Sequence, residues 1–306
     1  MRIVSLFSGA GGFDLGFILA GHIIIWANDL FEDAVKSYKY NLGDHILFKD
    51  IRNVRADDVP ECDIIIGGFP CQGFSIANIN RNAQDERNEL YKELMRIIDS
   101  KKPRFFLAEN VKGLVSFKKG EVLKLIIRDF ESLGYRVKYK ILNSADYGVP
   151  QKRERIFIVG VRFDIDYDFV FPTPTHSQNG KIICTEKWIS SSVALENIPD
   201  PDYPNDLFNH EYSKYKLRFN GYLGHRIINP NQPAPTVTAR GDDKGGVVVL
   251  HHPNNIRRMS CRELAVIQSF PIDFRFFGNK SSVYRQIANA VPPLLAKAIA
   301  SQFPNT

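Results

Sequence analysis

Cysteine is scarce in this sequence, and its spacing excludes two common kinds of structural site. Four cysteines are spread over 306 residues, and no two of them form a Cys-x-x-Cys pair. Neither a zinc site nor a disulfide framework is therefore predicted, and we expect no bound metal. A free thiol is most often a small buried group, and we expect that role for Cys62, Cys184 and Cys261.

Long apolar runs are also lacking. The longest, residues 15–27, contains His22 and is shorter than the roughly 20 residues that a helix needs to cross a bilayer. The first residues match a signal peptide poorly, because Arg2 is their only basic residue and Asp14 interrupts the apolar stretch. We therefore expect a cytoplasmic protein that has no membrane partner and whose thiols stay reduced.

The composition is that of a folded protein with a modest excess of positive charge. Hydrophobic residues make up 44% of the chain and aromatic residues 12%, which is enough to bury a sizeable core. Lysine and arginine total 40 against 34 aspartate and glutamate, a formal net charge of +6. That balance suits a polyanionic partner such as nucleic acid, although ordinary surface charge explains it equally well.

The first half of the chain alternates short runs rich in β-branched residues with amphipathic segments. Strands are predicted at residues 2–7, 22–27, 45–48, 63–66, 104–108, 136–142 and 155–161. Helices are predicted between several of them, at residues 33–40, 88–99 and 121–133. The alternation predicts an α/β fold with a doubly wound, mainly parallel, Rossmann-like sheet, in which ligands bind at the carboxyl ends of the strands.

The second half changes in character. Residues 171–253 are rich in proline, asparagine, glycine and tyrosine and show little periodicity, which is typical of a loop-rich segment. Helical patterns return at residues 260–270 and 284–303. We therefore predict two domains, one made of residues 1–162 and 258–306 and a smaller one made of residues 163–257.

A glycine-rich turn follows the first predicted strand, in the stretch FSGAGGFDLG at residues 7–16. Such a turn lets the backbone approach a ligand closely. The nicotinamide fingerprint requires a third glycine where this chain has Asp14. We therefore expect a nucleoside without a phosphate, which an acidic group close by would not repel. Two further acids, Asp29 and Asp50, follow the second and third strands and can accept hydrogen bonds from a ribose and an adenine.

Cys71 differs from the other cysteines in its setting. It follows a predicted strand, two glycines and Pro70, and a polar loop comes after it. Glu109 ends the next strand, and Arg153 and Arg155 lie at the start of a later one, where alternation places them on the same face. Taken singly, each of these charges is more often a solvated side chain than a functional group.

The ordered series of motifs resembles the DNA (cytosine-5) methyltransferase family of the prokaryotic restriction-modification type. The series comprises FSGAGG, Asp29, Asp50, GGFPCQGFS, ENV, QKRER, a loop-rich insert, RRMSCRELAVIQSFP and QIANAVPP. It runs in order over almost the whole chain. Ser260 stands where the family more often has threonine, which keeps a hydroxyl group.

The resemblance implies S-adenosyl-L-methionine as the cofactor. Asp29 is then expected to hold the ribose and Asp50 the adenine, and Asn289 is expected to close the pocket. The residues that the resemblance places in this pocket are Phe7, Ser8, Gly9, Ala10, Gly11, Gly12, Asp29, Leu30, Asp50, Ile51, Pro70, Asn289 and Val291.

The resemblance also implies covalent catalysis on a cytosine that has rotated out of the duplex. Cys71 is expected to attack carbon 6, Glu109 to bind the nitrogen 3 edge, and Arg155 to hold the carbonyl oxygen. Arg153 is expected nearby, on the substrate or its phosphate. Ser75 and Arg87 are the expected phosphate contacts in the loop after Cys71.

Residues 163–257 correspond to the family's target-recognition domain. Arg226, Thr236 and Arg240 are expected to contact DNA. A basic and aromatic cluster is also found there, at His210, Tyr212, Lys214, Tyr215, Lys216 and Arg218. The expected partner is double-stranded DNA. The resemblance leaves room for a cognate restriction endonuclease, and we expect a monomer associated with the nucleoid in the cytoplasm.

Three other functions remain open at this point. An RNA cytosine-5 methyltransferase would need the same base pocket. A non-catalytic DNA-binding regulator would explain the charge and the insert, but it would leave Cys71, Glu109 and Arg155 unexplained. A nicotinamide-dependent oxidoreductase would also have a doubly wound sheet, but Asp14 breaks its fingerprint.

Overall fold

The protein is built around a central sheet of seven strands. The computed structural model describes residues 1–69, 90–180, 185–214, 225–239, 249–254 and 257–304. The strands of the first half are β1 (Arg2–Leu6), β2 (Ile23–Asp29), β3 (Ile46–Phe48), β4 (Ile64–Gly67), β5 (Phe105–Val111), β6 (Tyr135–Asn143), β7 (Gln151–Lys152) and β8 (Glu154–Arg162). All of these except β7 belong to the central sheet.

The strand order is β3-β2-β1-β4-β5-β8-β6. Neighbouring strands are parallel except around β8, which runs antiparallel to both β5 and β6. The connection from β6 to β8 contains no crossover helix, so the chain reverses direction there. The predicted α/β fold with a doubly wound, mainly parallel sheet is confirmed.

Eight α-helices lie in the described residues. They are α1 (Gly12–Leu19), α2 (Glu32–Leu42), α3 (Leu90–Lys101), α4 (Glu121–Ser132), α5 (Ser191–Leu195), α6 (Cys261–Ile267), α7 (Lys280–Asn289) and α8 (Pro293–Ala300). The helix predicted over residues 284–303 is divided into α7 and α8, because Pro292 and Pro293 cannot continue the first of them. The periodicity did not predict α1, since this short helix is apolar on nearly every side and lacks a polar face.

Helices cover both faces of the sheet. One core contains side chains of α1, α2 and α8, and the other contains side chains of α3 and α4. Helix α8 lies directly against α1, where a Cβ on Gly16 would be 2.2 Å from the Cβ of Ala296. Phe303 stacks against Phe17 and Phe105, so the last described residues belong to the core of the sheet.

The remaining part of the chain has short elements. They are β9 (His176–Ser177), β10 (Glu186–Lys187), β11 (His225–Ile227), β12 (Ala234–Pro235), β13 (Val249–His251) and α5. A third core joins Leu195, Ile228 and Leu250 to residues of α6 and α7. Phe169 packs in the core of the central sheet, so the first residues after Phe163 lie against that sheet. The division into two domains at residues 163 and 257 stays a prediction. Across the described ranges, no helix is both long and apolar enough to span a bilayer.

Candidate active site at the carboxyl ends of the strands

The glycine-rich turn between β1 and α1 has a backbone with positive φ at three residues, of which two are glycines. Phe7, Gly9 and Gly11 have φ of 55°, 56° and 91°, in the left-handed region that glycine tolerates best. A Cβ on Gly11 would lie 2.3 Å from Leu42 Cδ1, and one on Gly12 would lie 2.6 Å from the carbonyl oxygen of Val291. The structure therefore brings the segment at Val291 directly against the turn.

The side chains of the turn face different ways. Ser8 and Ala10 are buried, and the Ser8 hydroxyl donates to the carbonyl oxygen of Ser5 at 3.1 Å. Only their main-chain atoms are thus placed to meet a ligand. A Cβ on Gly9 would meet no atom within 4 Å, so the turn is open on that side.

Asp29 ties the end of β2 to the turn. Its Oδ2 accepts a hydrogen bond from the main-chain N–H of Gly9, and its Oδ1 accepts one from Phe31, both at 2.7 Å. Each carboxylate oxygen retains capacity to accept a second hydrogen bond, which a ribose hydroxyl can donate. Burial raises the pKa of Asp29. The neighbouring Leu30 is 60% exposed and offers an apolar surface beside this acid.

Asp50 follows β3 and already has a cationic partner. Its carboxylate accepts hydrogen bonds from the main-chain N–H and the guanidinium of Arg52, the shortest at 2.6 Å, and these bonds lower the pKa of Asp50. An adenine amino group would have to share this carboxylate with Arg52. The side chain of Ile51 is buried in the core, so only its main chain can face a ligand.

Asp14 does not stand near the ligand side of the turn, and the argument that it repels phosphate is wrong. Its carboxyl group is fully buried and accepts hydrogen bonds from Ser5 Oγ and Tyr38 Oη, both at 2.9 Å. Tyr38 Oη also lies 3.0 Å from His45 Nε2. Burial raises the pKa of Asp14 to about 7.

Glu109 and Arg155 form an ion pair where β5 and β8 run side by side. Arg155 Nε lies 3.1 Å from Glu109 Oε1, and the two side chains are only 14% and 12% exposed. Antiparallel pairing sets Val111 opposite Arg155, which brings the arginine within reach of the acid two residues earlier. Burial raises the pKa of Glu109, and the charges of Arg155 and Arg153 partly oppose that effect.

The chain that leads to Cys71 passes beside this pair. A Cβ on Gly68 would lie 3.3 Å from Glu109 Oε2. Asn110 Nδ2 donates to the carbonyl oxygen of Phe69 at 3.2 Å. The structure therefore fixes the strand end two residues before Cys71 next to Glu109. Four predicted site residues that follow this strand end lie outside the described residues, and they are Pro70, Cys71, Ser75 and Arg87.

Arg153 is placed differently from Arg155. Its guanidinium is buried in the interior, with Nη1 donating to the carbonyl oxygen of Val237 at 3.3 Å and Nη2 donating to that of Ala288 at 2.7 Å. Within the described ranges, its Nε has no hydrogen-bond acceptor. These contacts tie three separate segments together.

The structure describes three of the four remaining predicted residues. Asn289 is exposed at the end of α7, and Arg226 is exposed on β11. The hydroxyl of Thr236 donates to the carbonyl oxygen of Lys152 at 2.8 Å. Arg240 lies outside the described residues.

His210 does not belong to a surface cluster, because it is buried and its ring nitrogens lie 2.9 Å from Ser260 Oγ and 2.7 Å from the carbonyl oxygen of Pro199. Tyr212 and Lys214 both contact Asp202. The other three members of that basic and aromatic cluster, Tyr215, Lys216 and Arg218, lie outside the described residues.

The environments of two other cysteines agree with an inert role. Burial raises the pKa of the Cys62 thiol to about 12 and that of the Cys261 thiol further still. A thiol of that kind is almost wholly protonated at neutral pH and is a poor nucleophile. Cys184 lies outside the described residues.

Three further residues that were not predicted from the sequence shape the site. Arg52 follows Asp50 by two residues, a spacing that allows the side chain to fold back on the acid. Gln151 and Gln268 stand inside the quoted motifs QKRER and RRMSCRELAVIQSFP, but both are completely buried and joined to each other. Nothing local in the sequence shows that they meet, since 117 residues separate them.

Comparison with known proteins identifies the family. The sequence model described as C-5 cytosine-specific DNA methylase matches residues 1–305. The chain belongs to this family. The Type II methyltransferase M.NgoFVII of Neisseria gonorrhoeae is 41% identical over 99% of this chain and 87% of its own length. The Type II methyltransferase M.FnuDI of Fusobacterium nucleatum is 39% identical over 100% of this chain and 95% of its own length.

Solved structures agree at the level of the fold. The Dnmt2 methyltransferase of S. pombe superposes with a TM-score of 0.73 at 20% identity, over 98% of this chain and 97% of its own. The methyltransferase EhMeth of Entamoeba histolytica gives 0.72 at 18% identity, over 99% and 97%. With the family established, this member of the C-5 cytosine-specific DNA methylases is a DNA (cytosine-5) methyltransferase of the restriction-modification type.

Proposed function

We propose that this enzyme transfers the methyl group of S-adenosylmethionine to carbon 5 of a cytosine rotated out of duplex DNA, through a covalent bond to Cys71. The observation that carries the proposal is the ion pair of Glu109 and Arg155, 3.1 Å apart and largely buried. It lies beside Gly68, three residues before Cys71. A carboxyl group and a guanidinium at this spacing match two adjacent polar edges of one pyrimidine ring.

The residues around the turn fit a nucleoside cofactor. Gly9 leaves open space, Asp29 offers carboxylate oxygens, and Leu30 offers an exposed apolar surface. Ala290 and Val291, which directly follow Asn289, reach the same turn from the C-terminal side. When bound there, S-adenosylmethionine supplies an electrophilic methyl group carried on a sulfonium.

The protein's own groups have distinct tasks on the base. The Cys71 thiolate adds to carbon 6 and forms a carbon–sulfur bond, which makes carbon 5 nucleophilic. Glu109 holds a proton at nitrogen 3 while negative charge develops on the ring, a task that its raised pKa favours. Arg155 donates hydrogen bonds to the carbonyl oxygen. After carbon 5 has taken the methyl group, loss of its proton to a base restores the double bond between carbons 5 and 6 and expels the Cys71 thiolate.

We propose that residues 163–257 read the DNA sequence. Arg226 is exposed on β11, which suits a contact with bases or phosphates, and Thr236 and Arg240 follow it in the sequence of the same segment. Ser75 and Arg87 are assigned to the phosphates around the target base. The monomeric state, the cytoplasmic location with the nucleoid and the existence of a cognate endonuclease stay predictions.

Transfer of a tritiated methyl group tests the proposal. We expect labelling of duplex DNA and not of transfer RNA, and we expect Cys71→Ser to lower the rate by at least about 1,000-fold, as removal of a nucleophile does. Cys62→Ser is the matched control and should keep its activity, because the partly buried Cys62 thiol has a raised pKa and stays protonated at neutral pH. Labelling by Cys71→Ser near the wild-type rate would refute the covalent mechanism, and labelling of transfer RNA alone would refute the assignment of the substrate.

A further inference from the structure

Two buried side chains hold both main-chain polar groups of Val237. The N–H of Val237 donates to Gln151 Oε1 at 3.1 Å, and its carbonyl oxygen accepts from Arg153 Nη1 at 3.3 Å. Strand β7, which contains Gln151, pairs in parallel with β12 just before Val237. Gln151 and Arg153 therefore hold the N–H and the carbonyl group of the residue that follows Thr236.

The same side chains reach the segment on either side of Asn289. Arg153 Nη2 donates to the carbonyl oxygen of Ala288 at 2.7 Å. Gln151 Nε2 donates to Gln268 Oε1 at 2.5 Å, and Gln268 Nε2 in turn donates to the carbonyl oxygen of Ala290 at 2.6 Å. The carbonyl groups that flank Asn289 are thus both held from the interior.

The segment so held packs on the glycine-rich turn. A Cβ on Gly12 would lie 3.0 Å from Ala290 Cβ and 2.6 Å from the carbonyl oxygen of Val291. Any shift of residues 288–291 therefore moves the wall of the proposed cofactor pocket. We call Gln151, Arg153 and Gln268 the polar bridge, since they join this wall to the Val237 segment by continuous hydrogen bonds.

We propose that the polar bridge couples DNA binding to cofactor binding by positioning Asn289 according to the placement of residues 234–237. This inference rests on the proposed function, in which Thr236 lies on the DNA side and Asn289 on the cofactor side. All three bridge side chains are buried, so their hydrogen bonds have no water to replace them, and displacement of one end leaves groups unpaired at the other. Because coupling is reciprocal, DNA and the cofactor each increase the affinity of the protein for the other by the same factor.

Of the three residues of the polar bridge, Gln268 can be replaced with the least disturbance of Glu109 and Arg155. Gln268→Met keeps the volume and removes both hydrogen bonds, while Gln268→Asn keeps the amide but is too short to reach both partners. Gln286→Met is the matched control. Gln286 is another buried glutamine, and it lies on the same helix as Asn289, but it bonds to Ser37 and Phe277 instead.

The measurement is the dissociation constant of S-adenosylhomocysteine by titration calorimetry, without DNA and with a duplex fragment that accepts the methyl group. We expect DNA to tighten binding at least about 5-fold in the wild type, the lower end of typical coupling. The coupling ratio is the dissociation constant without DNA divided by that with DNA. Both Gln268 variants should reduce this ratio below about 2, whereas Gln286→Met should keep the wild-type ratio.

Two results would overturn the bridge. One is a wild-type ratio near 1, and the other is an unchanged ratio in Gln268→Asn. If Gln268→Met fails to fold, Gln268→Asn decides alone. If the wild-type enzyme methylates duplex DNA but binds S-adenosylhomocysteine equally well with and without DNA, the coupling proposal is refuted and the proposed function is not. An enzyme that methylates no DNA would instead refute the proposed function.

Discussion

Replacement of Asp14 by asparagine should remove a strong dependence of stability on pH. The buried carboxyl group has a pKa near 7, against 3.8 for the ordinary group. Between these values the folded protein binds a proton that the unfolded chain does not bind. The stabilising contribution of this raised pKa is therefore complete below pH 3.8 and is lost as pH rises through 7.

The magnitude follows from the size of the shift. Each pKa unit corresponds to about 1.4 kcal/mol, and the linkage relation makes the Asp14 contribution about 2.5 kcal/mol larger at pH 5 than at pH 8. An asparagine cannot titrate, so the Asp14→Asn variant should lack this difference. At pH 8 the variant should also have no buried charge to destabilise it, provided that Ser5 and Tyr38 keep a hydrogen bond to the amide.

The assay is urea unfolding of both proteins at pH 5, 6, 7 and 8. Contributions from the other titrating groups cancel in the difference between the two free energies of unfolding. From pH 8 to pH 5 this difference should shift by about 2.5 kcal/mol in favour of the wild type. Tyr38→Phe should move the change to higher pH, because the Tyr38 hydrogen bond lowers the pKa of Asp14. The exposed Asp57→Asn is the control. Parallel curves for wild type and Asp14→Asn would refute the reasoning.

Three further predictions concern the site. Glu109→Gln should lower kcat by about 100-fold or more. The wild-type rate should fall as pH rises through the raised pKa of Glu109, and the pH profile of the variant should lack this fall. Gly12→Ala should raise KM for the cofactor about 10-fold, because its Cβ would press on the carbonyl of Val291; an unchanged KM would contradict that packing. Arg52→Ala should tighten cofactor binding a few-fold by freeing Asp50, as calorimetry can measure.

The sequence predicted the sheet well because its signals are local. Alternating apolar runs identify strands, and their ends place Asp29, Asp50 and Glu109 at one edge of the sheet. The position of Asp14 could not be predicted in this way. Whether an acid in a glycine-rich turn faces a ligand or the interior depends on a partner elsewhere, here Tyr38 on α2.

Arg153 illustrates a second limit. Alternation along a continuous strand predicts that it shares a face with Arg155. In the structure, residue 153 lies at a break between β7 and β8, where the ladder changes partners from β12 to β5 and β6. The guanidinium consequently reaches Val237 and Ala288, which are 84 and 135 residues away in the chain. Contacts over such separations leave no local pattern in the sequence.

The packing of Gly12 against Val291 also fixes when the enzyme becomes competent during its synthesis. The turn at residues 7–12 is synthesised long before the atoms that complete it, which belong to residues 290–297. At about 5–20 residues per second, this delay lasts on the order of 15–60 s. For that interval a nascent chain has most of its sheet but an unfinished cofactor wall. We therefore expect that a chain synthesised only as far as residue 289 does not yet hold the cofactor.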